Sequence, residues 1–274
     1  MDNLAVGVMM SVGWTVDQLK QIENLGFTNA QIASPPEAVL ADAGKRQNLI
    51  NSIQSLGIAI TTVFVGFDGE SYADIPTVRE TVGYLNPNTR ESRIQKTRAI
   101  SDFAKSLGVD KVAAHVGFVP EEAGDQAYAP MVETVGQVAD YCSKNGQVFS
   151  LETGQESAPA LLRYLDDMGK DNVKVNFDPA NMILYGSGEP IEALHLLGEQ
   201  VVSTHAKDGK WPTAEGQLGT EYPLGQGDVG IEKYVEKLKE IGYEGPITIE
   251  REIPDWDQKV TDLVEAKQLL ESYT

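Results

Sequence analysis

One local pattern recurs along the chain and limits the folds open to it. A stretch with apolar residues at helical spacing ends in an apolar residue or, once, an asparagine, and a glycine follows directly. A short, mostly apolar run begins within a few residues of that glycine. Glycine ends a helix in the left-handed conformation without steric cost, and such apolar runs are typical of parallel strands buried on both faces. The glycines are Gly26, Gly57, Gly108, Gly146, Gly169, Gly198 and Gly242.

Together with an opening apolar run that no helix precedes, these junctions predict eight strands. The predicted strands cover residues 4–9, 29–33, 58–65, 111–116, 148–151, 173–177, 201–204 and 246–249. The predicted helices cover residues 16–25, 46–56, 93–107, 131–144, 158–168, 190–197, 231–241 and 259–272. Strand and helix therefore alternate from one end of the chain to the other.

Eight βα units in unbroken alternation predict an α/β protein with a closed (β/α)₈ TIM barrel. An open doubly wound sheet is the alternative, and it normally has a G-x-G-x-x-G turn after its first strand. The stretch Met9-Met10-Ser11-Val12-Gly13 does not supply that turn. A length of 274 residues would ordinarily suggest about two domains, but α/β barrels of about 250 residues form one. We therefore expect residues 1–274 to form a single barrel domain.

Two connections are longer than the others, at about residues 66–92 and 209–230. Both follow the carboxyl ends of predicted strands, where TIM barrel enzymes place their active sites. Loops longer than about 12–15 residues tend to be functional or disordered. We expect both connections to act as lids over the mouth of the barrel.

Net charge, the cysteine count and the lack of long apolar runs limit which partners and which cellular location we expect for the protein. The net charge of −19 disfavours nucleic acid and anionic membrane surfaces, and the single cysteine, Cys142, excludes an intramolecular disulfide and a multi-cysteine metal site. Met1-Asp2-Asn3-Leu4 lacks a basic signal-peptide start, and no run approaches the roughly 18 apolar residues of a membrane span. We expect a cytoplasmic protein that acts on a small molecule, and a homo-oligomer is compatible with the sequence.

Four consecutive strands end in residues that bind metal ions. The predicted strands five to eight end at or directly before Glu152, Asp178, His205 and Glu250. The mouth of a barrel is narrow, so three carboxylates meeting there would repel one another unless a cation neutralised them. Three carboxylates and one imidazole form a hard, oxygen-rich ligand set. We predict that these residues bind one divalent metal ion, Mn²⁺ in first place, with Mg²⁺, Co²⁺ or Zn²⁺ as alternatives.

At these residues the sequence resembles the xylose isomerase-like TIM barrel superfamily, most closely its sugar isomerases and epimerases of the tagatose 3-epimerase type. The resemblance covers essentially the whole chain and rests on the order and spacing of several short motifs. They are Leu151-Glu152-Thr153, Phe177-Asp178-Pro179-Ala180-Asn181, Thr204-His205-Ala206-Lys207-Asp208-Gly209, Leu224-Gly225-Gln226-Gly227-Asp228-Val229 and Gly242-Tyr243-Glu244-Gly245-Pro246 before Ile249-Glu250.

The resemblance implies that Glu152 and Glu250 are metal ligands and also the catalytic acid/base pair. Such a pair would move a proton next to a carbonyl of a sugar or cyclitol through a metal-stabilised enediolate. Epimerisation and aldose–ketose isomerisation both remain open, as does dehydration of an inosose. A non-catalytic sugar-binding barrel is the alternative from another class, although none of its four ligand residues has been lost.

The sequence also departs from its relatives. Asn181 stands where many epimerases and endonucleases of the superfamily carry a histidine, and Gln31 stands where many relatives carry an acidic residue. Asn181 can bind a substrate hydroxyl but is a poor metal ligand. With only three histidines the chain cannot assemble a trinuclear zinc endonuclease site.

Five residues are predicted to bind substrate, each with an alternative structural role. His115 ends the fourth predicted strand and could instead be a core histidine. Asn181 follows Asp178, while Lys207 and Asp208 follow His205 and could instead form ion pairs. Trp14 follows the first strand, where it would either wall a sugar pocket or serve ordinary packing. We expect the remaining histidine, His195, to have a structural role within a helix.

Overall fold

A computed structural model describes residues 4–274, so the N-terminal interpretation of Met1-Asp2-Asn3 lies outside the described residues. Eight parallel strands form the barrel: β1 (Val6–Met10), β2 (Asn29–Ala33), β3 (Ala59–Val65), β4 (Lys111–Ala114), β5 (Val148–Glu152), β6 (Val173–Phe177), β7 (Val201–Ala206) and β10 (Ile247–Ile249). They close in the order β1-β10-β7-β6-β5-β4-β3-β2. The predicted TIM barrel is confirmed, and the strands predicted at residues 29–33 and 173–177 have the predicted bounds.

Helices surround the barrel and follow its strands. They are α1 (Val16–Asn24), α2 (Glu37–Leu40), α3 (Ala43–Gln54), α4 (Ile75–Thr81), α5 (Pro87–Leu107), α6 (Tyr128–Lys144), α7 (Ala158–Met168), α8 (Pro179–Tyr185), α9 (Pro190–Leu197), α10 (Ile231–Glu240) and α11 (Trp256–Tyr273). At the predicted junctions, Gly108 and Gly169 end their helices in the left-handed conformation, with φ of 78° and 60°. Cys142 is a free cysteine and is buried on α6.

The structure corrects the two long connections. The first contains α4, and α5 begins at Pro87 rather than at residue 93, because the Asn86 side chain caps the helix and Pro87 fits its first turn. The second contains an antiparallel hairpin of β8 (Asp208–Lys210) and β9 (Thr220–Tyr222). The short helix α8 was also not predicted. Both long connections reach the mouth of the barrel.

The alternation of side chains along each strand points the predicted ligands inward. Residues two apart on a strand share a face, and Glu152, His205 and Glu250 each lie two residues after a small polar residue. Those residues, Ser150, Ser203 and Thr248, are buried. The outward side chains of the same strands, such as Leu151 and Ile249, pack beneath the helices as part of the main apolar core. Within residues 4–274, no helix combines the length and apolarity needed to cross a membrane.

Candidate metal centre

The structure brings the four predicted metal ligands together. Glu152, Asp178, His205 and Glu250 each offer one ligand atom, and all four atoms lie within 4.8 Å of one another. Glu152 is the last residue of β5 and His205 lies on β7, while Asp178 and Glu250 directly follow β6 and β10. Neighbouring parallel strands therefore deliver the four side chains to one end of the barrel.

His205 lies at the centre of this cluster. Its Nδ1 atom is 3.1 Å from Glu152 Oε1 and 3.3 Å from both Asp178 Oδ2 and Glu250 Oε2. Its Nε2 atom is 3.1 Å from Gln31 Oε1. A carbonyl oxygen can only accept a hydrogen bond, so Gln31 holds the ring proton on Nε2 and leaves the Nδ1 lone pair facing the carboxylates.

The electrostatics of the cluster require positive charge at Nδ1. Burial opposes protonation of His205, but the negative charges of Glu250 and Glu152 outweigh it and raise the pKa of the imidazole well above its ordinary value. Either a proton or a cation must therefore balance the carboxylates. A buried set of three carboxylates and one imidazole nitrogen has the charge and the donor atoms that suit a divalent cation such as Mn²⁺ or Mg²⁺.

Asp178 is fixed by its place in the chain. Its side chain caps α8, because Oδ1 accepts a hydrogen bond of 2.8 Å from the backbone N–H of Asn181. Its backbone N–H donates to Thr153 Oγ1 at 2.8 Å. Capping occupies one carboxylate oxygen and leaves Oδ2 directed at His205, so local helix formation sets the position of this ligand.

Lys207 forms ion pairs beside the cluster with Glu250 and Glu252. Its Nζ atom is 3.1 Å from Glu250 Oε2 and 2.6 Å from Glu252 Oε2, and only 4% of its side chain is exposed. Burial would raise the pKa of Glu250, but the charges of Lys207 and His205 outweigh it and lower that pKa well below the ordinary value. Glu250 is therefore held as a carboxylate.

Glu152 has different neighbours. Its Oε2 atom is 3.2 Å from His115 Nε2, and its Oε1 atom accepts a hydrogen bond of 3.2 Å from Asn181 Nδ2. His115, Asn181 and Lys207 all line the cavity above the cluster. Three of the five predicted substrate-binding residues therefore lie where a ligand could touch them.

The cavity above the cluster has a volume of about 760 Å³. The first long connection contributes Glu70 and Tyr72 to its wall, and the second contributes Glu221. These positions agree with the expectation that both connections cover the barrel mouth. Tyr72 and Lys96 were not identified as site residues from the sequence. Only the length of the first connection pointed to Tyr72, and nothing in the helical pattern of α5 distinguished Lys96.

Asp208 and Trp14 do not occupy the positions predicted for substrate-binding residues. The Asp208 carboxylate accepts hydrogen bonds from four backbone N–H groups, those of Gly209, Gly225, Gly227 and Val229. It therefore holds the second long connection in place and does not line the cavity.

Trp14 serves ordinary packing, the alternative that the sequence left open. It packs edge-on against Trp256, with ring centroids 5.1 Å apart, and Lys259 lies over its ring. His195 is exposed on α9, away from the cluster.

Glu156 lies on the loop after β5, and its buried carboxyl group should make the stability of the protein depend on pH. Burial and the charge of Glu121 raise its pKa from 4.5 to about 8. Between these pH values the folded state keeps a proton that the unfolded state has lost, so the free energy of unfolding falls as pH rises, by up to about 1.4 kcal/mol per unit. We expect the free energy of unfolding, measured with urea, to fall less between pH 5 and pH 8 in Glu156→Gln than in the wild type, by roughly 2–4 kcal/mol.

The exposed Glu122 provides the matched control for this prediction. Glu122→Gln should retain the pH dependence of the wild type. Parallel stability profiles for Glu156→Gln and the wild type would show that Glu156 is ionised in the folded protein at neutral pH.

Comparison with known proteins finds relatives over nearly the whole chain. The xylose isomerase-like TIM barrel family matches residues 19–273. The crystal structure of a xylose isomerase domain protein from Planctomyces limnophilus is 41% identical, with a TM-score of 0.94 over 99% of this chain and 98% of that one. That of a D-tagatose 3-epimerase-like protein is 20% identical, with a TM-score of 0.74 over 98% and 97% of the two chains, which is a likeness of fold.

A curated relative is an uncharacterized protein of Methanocaldococcus jannaschii, 26% identical over 213 residues. The matched region is 69% of this chain and 66% of the relative, so the chain spans slightly less than two thirds of that relative's length.

Proposed function

The chain belongs to the xylose isomerase-like TIM barrel family, and from this premise we propose that it is a divalent-metal-dependent epimerase or isomerase of sugars or cyclitols. The observation that carries the proposal is the placement of Glu152 and Glu250 around His205 at the floor of one cavity. Two carboxylates that reach one substrate from different strands can serve as a base and an acid.

The residues that would hold the cation are Glu152, Asp178, His205 and Glu250. We take Mn²⁺ as the first choice, with Mg²⁺, Co²⁺ or Zn²⁺ as alternatives. When bound, such a cation polarises a carbonyl and the adjacent hydroxyl and offsets the charge that develops as the neighbouring proton leaves. Gln31 would support the site by holding the His205 ring in the tautomer that binds metal.

The two carboxylates have the distinct environments that acid and base roles require. Lys207 keeps Glu250 ionised, which suits the removal of a proton from the carbon next to the carbonyl. In the described part of the chain, Glu152 has no ammonium group beside it and instead contacts His115 Nε2 and Asn181 Nδ2. Removal of the proton from one face and its return to the other face of the same carbon inverts that carbon, whereas return of the proton to the former carbonyl carbon would interconvert an aldose and a ketose.

Asn181 and Lys207 would orient substrate hydroxyl groups. Asn181 Nδ2 already donates to Glu152, so its amide oxygen is left to accept from a hydroxyl. The proposed enzyme acts on a free small molecule in the cytoplasm rather than on nucleic acid, in keeping with its net charge of −19. Loss of a β-hydroxyl after the same proton removal would make the protein a dehydratase, and it would be recognised by an unsaturated product.

The proposal is tested with metal-loaded protein and a panel of ketoses and inososes in D₂O. We expect one substrate class to take up deuterium at a carbon next to its carbonyl, seen by mass spectrometry, and the exchange to require Mn²⁺ or Mg²⁺. Binding of metal and sugar without exchange in any substrate would instead favour a sugar-binding barrel.

A further inference from the structure

A second space, here called the side chamber, adjoins the cavity above the metal cluster. The side chamber has a volume of about 580 Å³ and lies between α2 and α5. Phe67, Asp68 and Lys96 line both spaces, so the two meet at these side chains. The side chamber alone is lined by residues that include Glu37, Leu40, Thr89, Ser92, Gln95 and Ala99.

The combined space exceeds what one sugar ring needs. A free hexose has about 12 non-hydrogen atoms, and at the roughly 30 Å³ that a water molecule occupies in the liquid it would fill at most about 360 Å³. The central cavity alone has about 760 Å³. A single sugar ring over the metal ligands would therefore leave the space beside Lys96 and Asp68, where the side chamber adjoins, unfilled.

The wall of the side chamber can form hydrogen bonds with hydroxyl groups. Thr89, Ser92 and Lys96 follow one another along one face of α5. The Lys96 side chain is only 12% exposed, yet its nearest charged partner, Asp68 Oδ1, is 3.7 Å away. This distance is too long for a hydrogen bond, so the ammonium group at the junction is free to donate to an oxygen of a ligand.

The charges that line the two spaces indicate whether the part of the substrate in the side chamber is neutral or anionic. The acidic residues Asp68, Glu70, Glu221 and Glu252 line the central cavity in addition to the metal ligands, and Glu37 lines the side chamber. Arg93 also lines the side chamber, where it lies over the Phe67 ring and donates to the backbone oxygen of Gly83. Over the two spaces together the carboxylates outnumber the cations Arg93, Lys96 and Lys207. Lys207 is already paired with Glu250 and Glu252. A phosphate or carboxylate on the substrate would be repelled by this surplus, whereas hydroxyl groups can donate to the carboxylates and accept from Lys96.

We propose that the substrate is an uncharged glycosylated sugar whose second polyhydroxy ring lies in the side chamber against Lys96 and α5. This inference rests on the proposed function for the identity of the reacting ring. It assigns substrate specificity to Lys96 and Ser92, which lie outside the metal cluster.

Three ketoses that differ at one position test the proposal. D-fructose, isomaltulose and D-fructose 6-phosphate carry a hydroxyl, a neutral glucosyl group and a phosphate on the same oxygen. With metal-loaded protein, calorimetry should show isomaltulose binding at least about tenfold more tightly than fructose, and fructose 6-phosphate no more tightly than fructose. Ser92→Trp, which fills the side chamber from an exposed position, should remove about tenfold of the isomaltulose affinity and leave fructose unchanged. Lys96→Met should also remove about tenfold of the isomaltulose affinity and should weaken fructose binding by less, because Lys96 lines both spaces.

Lys105→Met, at an exposed position on the same helix, is the control and should bind all three sugars like the wild type. Thermal melting shows whether each variant folds, and Lys96→Met and Ser92→Trp test the same chamber independently. Equal or weaker binding of isomaltulose, tighter binding of the phosphate, or equal losses for fructose and isomaltulose would overturn the inference. Selective isomaltulose binding with no deuterium exchange in any ketose would contradict only the proposed chemistry, and exchange of fructose without that selectivity would contradict only this inference.

Discussion

Glu152→Gln and Glu250→Gln are each expected to reduce turnover by roughly 10²–10⁴-fold, the usual contribution of a general acid or base. Glutamine keeps the size of the side chain and removes its ability to exchange a proton. The lost negative charge also weakens cation binding, so turnover is measured at saturating Mn²⁺. The substrate is the one found by the deuterium panel, and circular dichroism and thermal melting report on the fold.

Glu244→Gln is the matched control for this pair, since Glu244 is exposed just before β10. Its turnover should equal that of the wild type. Activity near the wild-type value in either Glu152→Gln or Glu250→Gln, with metal bound, would contradict the assignment of the two carboxylates as acid and base.

Removal of the divalent cation is expected to abolish activity and lower the melting temperature. A ligand present at 100 times its Kd stabilises the folded state by about 2.7 kcal/mol, which corresponds to roughly 5–10 °C for a chain of this size. The chelated protein should regain both properties on addition of Mn²⁺. Calorimetric titration of the chelated protein should give one cation per chain.

Asp178→Asn is expected to weaken metal binding and to leave the fold intact, so it tests the two properties separately. Asparagine caps a helix about as well as aspartate, so α8 should form, but the cluster would have one carboxylate fewer. Addition of Mn²⁺ should raise the melting temperature of the variant much less than that of the wild type at the same Mn²⁺ concentration. If Mn²⁺ raised the melting temperature of Asp178→Asn as much as that of the wild type, or did not raise that of the wild type at all, the cluster would not be the cation site.

Sequence reasoning predicted the barrel because its evidence is local and repeated. The helix at Ala158–Met168 has its predicted bounds, since Pro159 starts it and Gly169 ends it. The hairpin of β8 and β9 was missed because each strand has only three residues, too few to show a periodic pattern. Helix α8 had a usable signal, an N-cap aspartate followed by proline, but Asp178 was interpreted only as a metal ligand.

The four metal ligands were predictable because parallel strands of a barrel end at one rim, so the last residue of each strand is enough to place them. The contacts between distant elements were not predictable in the same way. Gln31 and His205 are 174 residues apart in the chain and meet across the barrel interior. Asp208 was assigned to substrate because it follows His205 and Lys207, yet its side chain turns away to the backbone of its own loop.

In the proposed reaction, Glu152 and Glu250 exchange one substrate proton with solvent next to a carbonyl, with the cation bound. The most direct measurement is the position of deuterium after partial conversion of the substrate in D₂O by the Mn²⁺-loaded enzyme. We predict one solvent deuteron in the product, at the carbon that receives the returned proton, and little deuterium in the recovered substrate. After chelation we expect neither label nor product. Product formed without solvent deuterium, or at the same rate after chelation, would contradict the account.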